Sequence, residues 1–305
     1  KDMGEKVWYP QIMSSPLVNW YRNKIEFSFG KYISAKLDPK YHINWWVGFH
    51  KQWEFSKIVD VQNCKLISDK SNEIFWYIKN LLKDSGLEVY DAKTQKGFFR
   101  HLLIRQWFNT DQFLVVLSVN DNNLPIDDKP RFEQLKSDFK SDEYLNSNIT
   151  SFVISYNTGL ADTFRWQEIR TETLFGEWYI FEKLIYQNFE DAELNFKISP
   201  FSFFQTNTLW AQKLFDAWAN MLGKTDWALL DLYCWSWSIW LTFLKLWLCD
   251  EVFGIEISKE SIDDAYFNAK INWLLDKSYF VSWKAEEVIF KDENINQNLQ
   301  KIKAI

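Results

Sequence analysis

Within about 30 residues, between Trp227 and Ile257, the chain runs through an apolar stretch, a tight turn, an apolar helix and a second apolar stretch. Residues 228–233 read as a short strand interrupted by Asp231. Residues 239–248 read as an apolar helix, and 252–255 as a buried strand closed by Glu256. Short runs this apolar suit parallel strands covered on both faces. The unit is βαβ, and it commits this part of the chain to a doubly wound α/β sheet.

The turn inside that unit is the difficulty. It reads Cys234, Trp235, Ser236, Trp237, Ser238, Ile239, Trp240. A nucleotide-binding turn at this place needs glycine, for tight turning, close backbone approach to the ligand and close helix packing. Three indoles would fill the space that the ligand must occupy. With glycine at 235, 237 and 240 the turn becomes glycine-rich, and Glu256 follows at about the 20-residue spacing of a ribose-binding acid.

Composition points the same way. The chain has 18 Trp and only 9 Gly, whereas ordinary usage would give roughly 21 glycines. Trp53, Trp107, Trp166, Trp178, Trp273 and Trp283 also stand in turn-like contexts where glycine is expected. A UGA codon read as glycine in the cell and as tryptophan on paper produces this text. If about 13 of the tryptophans are glycines, the total comes to about 22, near the ordinary level. Trp20 and one of Trp45 and Trp46 read as true tryptophans.

From about residue 194 onward strands and helices alternate. Helices are expected at 209–222 and 259–272, and a further strand near 279–282. Residues 1–195 read instead as a mixed α+β domain. Strands are expected at 24–29, 102–105, 113–117 and 151–154, helices at 71–85 and 130–139, and a polar excursion at 121–142. Residues 196–305 read as the first part of a Rossmann-like α/β domain, its sheet left incomplete at Ile305.

Several runs together resemble the RNA uracil-C5 methyltransferases, the enzymes that make 5-methyluridine in transfer and ribosomal RNA. They are Tyr21 to Lys24 (YRNK), Gly48 to His50, and Phe99 to His101 with Ile104 and Arg105. Further on come Ser199 and Pro200, Phe203 to Asn207 (FFQTN), Asp231 to Cys234 (DLYC), Gly254 to Glu256, Asp264 with Ala265, and Asn268 with Ala269. The ordered pair FFQTN and DLYC is the specific part. The resemblance runs from about Pro16 to the end of the chain.

The resemblance implies S-adenosylmethionine as cofactor. Gln205 then contacts its methionine end, Glu256 holds the ribose hydroxyls, and Asp231, Tyr233, Ser238, Trp235 and Trp237 line the cofactor turn. Phe203 is read as a stacking surface for RNA bases or a core residue. Arg22, Arg100 and Arg105 are candidates for the phosphates, with a structural role for Arg100 and Arg105 as the equal alternative. The implied chemistry is a cysteine thiolate adding to uracil C6, methyl transfer to C5 and removal of the C5 proton by a base. The uracil leaves its stack to be reached.

The resemblance places both the nucleophilic cysteine and that base after residue 305, so the chain as written is expected to be inactive. Cys234 matches the cofactor-turn cysteine. Cys64 matches the last of four cysteines that hold a 4Fe–4S cluster in some members. Alone it holds none, and the cluster belongs to a full-length protein. An N-terminal oligonucleotide-binding domain is also absent from the text.

The remaining expectations are general. Three cysteines, no apolar run of membrane length and no signal-peptide core in the first ten residues point to a cytoplasmic chain without a disulfide framework. His42, His50 and His101 are dispersed, and no zinc site is expected. RNA, transfer or ribosomal, is the expected partner of a monomer. A net charge of −6 argues mildly against it, but residues 21–51 carry six Lys/Arg against two acids. The alternative is a noncatalytic RNA-binding module that kept the methyltransferase fold.

Overall fold

The computed structural model describes residues 12–31, 45–159, 170–186, 192–224, 227–234, 238–284, 286–287 and 302–304. The first half builds a seven-stranded sheet from β1 (Lys24–Lys31), β2 (Trp45–Lys51), β3 (Glu54–Asp60), β4 (Phe99–Gln106), β5 (Phe113–Val119), β6 (Ser151–Tyr156) and β7 (Arg170–Phe175). Their order is β3-β2-β1-β4-β5-β6-β7. All neighbours are antiparallel except β5 and β6, which pair in parallel. Helices α1 (Asp69–Asp84), α2 (Lys129–Ser141) and α3 (Glu143–Asn148) share a core with one face of this sheet. The crossover from β5 to β6 passes through α2 and α3, as a parallel pair requires.

The central strands are buried at nearly every position because both faces are covered. Along β4 and β5 the side chains divide by parity. Leu102, Ile104, Val115 and Leu117 enter the core with α1 and α2. Leu103, Leu114 and Val116 enter a second core on the opposite face. That second core also takes the inner faces of the hairpin β8 (Ile180–Tyr186) and β9 (Ala192–Ile198), α4 (Thr208–Leu222) and the elements that follow. The expected division near residue 195 therefore falls inside β9, and one core spans it.

The rest of the chain is the expected α/β unit: β10 (Ala228–Asp231), α5 (Ser238–Lys245), β11 (Glu251–Glu256), α6 (Lys259–Ile271), β12 (Ser278–Ser282) and β13 (Ile302–Ala304). The four strands are parallel, in the order β12-β11-β10-β13. Strand order reverses at β10, with β11 on one side and β13 on the other. In open α/β sheets ligands bind outside the carboxyl ends at such a point.

Two boundaries differ from expectation. The first strand stops at Asp231 because its carboxylate turns back to accept the Tyr233 N–H at 3.1 Å. The helix stops at Lys245 because the chain turns left-handed at Trp247. Among the described residues no helix is long and apolar enough to cross a membrane.

Candidate active site

At the carboxyl end of β10 the expected cofactor residues gather on neighbouring parallel strands. Asp231 ends β10 and Glu256 ends β11. Glu256 Oε1 accepts the Ser258 N–H at 3.0 Å, which ties the strand end to the turn into α6. Burial pushes the Asp231 carboxyl above its ordinary range. Hydrogen bonds from the Tyr233 N–H and the Trp240 indole pull it back, and the Glu256 charge adds to the rise. Tyr233 is 68% exposed, so it is a surface residue at the mouth of the turn and not core. Ser238 opens α5 and is buried. Trp235 and Trp237 lie outside the described residues.

The second wall is the segment from Ser199 to Asn207, held from three sides. Asp264 of α6, buried, accepts the Ser199 hydroxyl at 2.9 Å and the Ser202 hydroxyl, and pairs with Lys197 at 3.0 Å. Arg105 of β4 donates to the Ser202 carbonyl. Asn23 donates through Nδ2 to the Gln205 carbonyl at 2.7 Å and to Thr208 Oγ1 at 2.8 Å, and its backbone N–H donates to the Thr206 carbonyl at 2.8 Å.

Residues then alternate as in an extended chain. Phe204 is buried edge-on against Trp107, ring centroids 5.0 Å apart, while Phe203 is exposed and Gln205 half-buried. Asn207 caps α4 by accepting the Trp210 N–H at 3.0 Å. Phe203 faces Glu256 across a cleft of about 220 Å³, with Phe201, Ser202, Ser258 and Glu260 also in its walls. Two runs far apart in sequence, YRNK and FFQTN, thus meet through Asn23.

The expected RNA contacts separate. Arg22 stays near the surface and lines, with Lys24, Glu26 and Thr206, a second cleft of about 240 Å³. Arg100 and Arg105 are buried, which corrects the expectation that they face phosphates. The Arg100 guanidinium donates to the carbonyls of Asn157 at 2.9 Å and Gly159 at 2.6 Å and stacks over Tyr90. Arg105 is spent on Ser202, and burial lowers it to about 10. Cys64 is a buried free cysteine whose backbone is clasped by Asn72, with Cys64 N–H to Asn72 Oδ1 at 2.8 Å.

Residues given no role from the sequence also shape the site. Asn23 and Asp264, both inside the matching runs, position the 199–207 segment. Glu182 is fully buried beside the start of α4, accepting the N–H groups of Phe108, Asn109 and Lys183 and the Thr208 hydroxyl. His50 and His101, dispersed in sequence, both reach the Ser28 hydroxyl, at 3.1 and 3.3 Å. Only strand pairing reveals this, since Ser28 registers with His101 on one side and with β2 on the other.

Residues 168–305 match the family model described as tRNA (uracil-5-)-methyltransferase. An uncharacterized RNA methyltransferase of Clostridium acetobutylicum is 30% identical over 265 residues, 87% of this chain and 53% of that protein. Another, of Caldanaerobacter subterraneus, is 27% identical over 293 residues, 96% of this chain and 57% of that protein. The chain thus spans about half the length of the curated relatives it matches. Among solved structures, the tRNA (uracil-54, C5)-methyltransferase of Pyrococcus abyssi, crystallised with S-adenosyl-L-homocysteine, has the same fold. The TM-score is 0.63 at 22% identity, over 88% of this chain and 56% of that one. Sheet order, the strand reversal and these matches agree: residues 168–305 carry the pattern of the tRNA (uracil-5-)-methyltransferase family, and the chain as a whole is similar to RNA methyltransferases.

Proposed function

We propose that the protein of which this chain is part methylates C5 of a uridine in RNA, with S-adenosylmethionine bound at the carboxyl end of β10. The observation that carries this reading is the pairing of Glu256 and the Phe201–Phe203 segment, two residues before Gln205, across one cleft at the strand reversal. The residues suit the cofactor in kind. Glu256 offers a carboxylate for the ribose diol. Gln205 keeps its side-chain amide unspent among the described residues and offers it to the methionine carboxylate. Tyr233 and Ser238 flank the turn. When bound, the cofactor supplies an electrophilic methyl group.

Phe203 offers a stacking face to a base, and Arg22 offers charge to the backbone of the same RNA strand, Lys24 beside it being paired with Glu26 at 2.6 Å. Transfer RNA is the favoured substrate on the description of the matching family model. The three cysteines of this chain are buried, and burial pushes the Cys249 thiol up to about 12, away from an activated thiolate. In the proposed covalent reaction the nucleophile is the cysteine that the resemblance puts after residue 305.

The test is transfer of tritiated methyl from S-adenosylmethionine to RNA by the full-length gene product, followed by digestion to nucleosides. Label in 5-methyluridine is expected. Label in any other nucleoside rejects the assignment, and RNA binding without any label favours the noncatalytic module.

A further inference from the structure

Among the described residues, six non-glycine residues have left-handed backbone, and four of them are tryptophan: Trp20 (φ 58°), Trp53 (66°), Trp247 (58°) and Trp273 (61°). The other two, Gln95 and Asp111, are polar turn residues. Positive φ is uncommon outside glycine, and for a bulky side chain it is an outlier. One such tryptophan would be a curiosity, but four share a pattern.

Two of the four close helices in the same way. After α5, the Leu248 N–H donates to the Phe243 carbonyl at 2.9 Å and the Trp247 N–H to the Leu244 carbonyl at 3.1 Å. After α6, the Leu274 N–H donates to the Ala269 carbonyl at 2.9 Å and the Trp273 N–H to the Lys270 carbonyl at 3.2 Å. Both are Schellman motifs, with tryptophan in the left-handed position that glycine ordinarily takes and a buried leucine next. Trp53 is the second residue of the two-residue turn between β2 and β3, closed by the Lys51–Glu54 pair. Turns with left-handed backbone at that second residue call for glycine there.

Nor does packing account for the indoles. Trp53, Trp247 and Trp273 are 94%, 68% and 89% exposed, and Trp20 is 47% exposed. Tryptophan contributes through burial, and here backbone and surroundings both disfavour it.

We infer that Trp20, Trp53, Trp247 and Trp273 stand where the protein made in its own cell carries glycine, through a UGA codon that the organism reads as glycine. The backbone evidence is independent of the composition and of the cofactor turn, and it reverses the expectation that Trp20 is a true tryptophan. Trp107, by contrast, sits in the core in ordinary backbone, so the structure adds nothing to the reading at that position. The inference bears on the site as well. The Trp240 indole donates to the Asp231 carboxylate, and the same codon reading at 240 uncovers that carboxylate at the strand reversal.

The experiment is peptide mass spectrometry of the protein purified from the source organism, read at the tryptic peptides 52–57, 246–259 and 271–277, which hold Trp53, Trp247 and Trp273. Each peptide is expected lighter by the difference between a tryptophan and a glycine residue. Tryptophan masses in these peptides overturn the inference and leave the functional reading untouched. A second measurement needs no source cells. The recombinant chain carrying Trp53→Gly, Trp247→Gly and Trp273→Gly is expected to melt several degrees above the chain as written. A lower melting temperature contradicts the inference.

Discussion

At the residue scale, the most consequential group outside the cofactor cleft is Glu182. Among the described residues it is buried with no cation beside it, and burial raises its pKa from the ordinary 4.5 to about 7, although three backbone N–H groups and the Thr208 hydroxyl pull it down. A carboxyl raised in the folded state contributes stability that is full below pH 4.5 and is lost as pH rises through about 7. The loss is on the order of 3 kcal/mol. Denaturation of the Glu182→Gln variant is expected to show a flatter stability profile between these limits, and an unchanged profile rules the account out. The left-handed tryptophans belong to this scale too. Each carries roughly 1–2 kcal/mol of backbone cost that glycine does not.

At the element scale, α6 docks on the edge of β9 through a polar ladder. Asn272 exchanges two hydrogen bonds with the backbone of Asn195, at 2.9 and 2.7 Å. Asn268 does the same with Lys197, at 2.7 and 3.3 Å. Asp264 continues the row at Ser199. The spacing works because four helical residues rise about 6.0 Å and two strand residues about 6.6 Å, so i, i+4, i+8 on the helix meets every second residue of the strand. The amide side chains stand in for a missing neighbour strand. Asn268→Ala and Asn272→Ala are each expected to cost about 1–3 kcal/mol, the range for leaving such groups unpaired. Urea melts would detect this, and two neutral substitutions would show that the ladder is incidental.

The elements differ in how far the sequence discloses them. The strands β4, β5, β6, β10 and β11 are legible because burial on both faces makes them continuous apolar runs. The hairpin β8–β9 escapes notice because its strands are half-exposed and alternate, much like amphipathic loop text. Glu256 is readable as the acid that closes an apolar strand, whereas Asp231 reads as an interruption and closes its strand only through the Tyr233 N–H. The burial of Arg100 and Arg105 is not readable, since it depends on carbonyls at 157, 159 and 202, brought close only by the tertiary fold.

At the scale of the whole molecule, the two halves share a core, so the side chains proposed for RNA near β1 and those proposed for the cofactor near β10 sit on one framework. With a net charge of −6, the RNA binding proposed above rests on local cations such as Arg22. The Arg22→Ala variant is expected to bind RNA more weakly and with a shallower salt dependence, by about one unit of log–log slope, while cofactor affinity is unchanged. A parallel loss of cofactor affinity would mean that Arg22 is structural. The cofactor site itself is tested most directly by calorimetric titration of S-adenosyl-L-homocysteine into the full-length gene product and into its Glu256→Ala variant. Binding by the first and a loss of about tenfold or more in the second are predicted, in line with about 1.5–3 kcal/mol for hydrogen bonds to a charged group. Equal affinities in the two proteins would contradict a cofactor held at the carboxyl end of β11 beside the strand reversal.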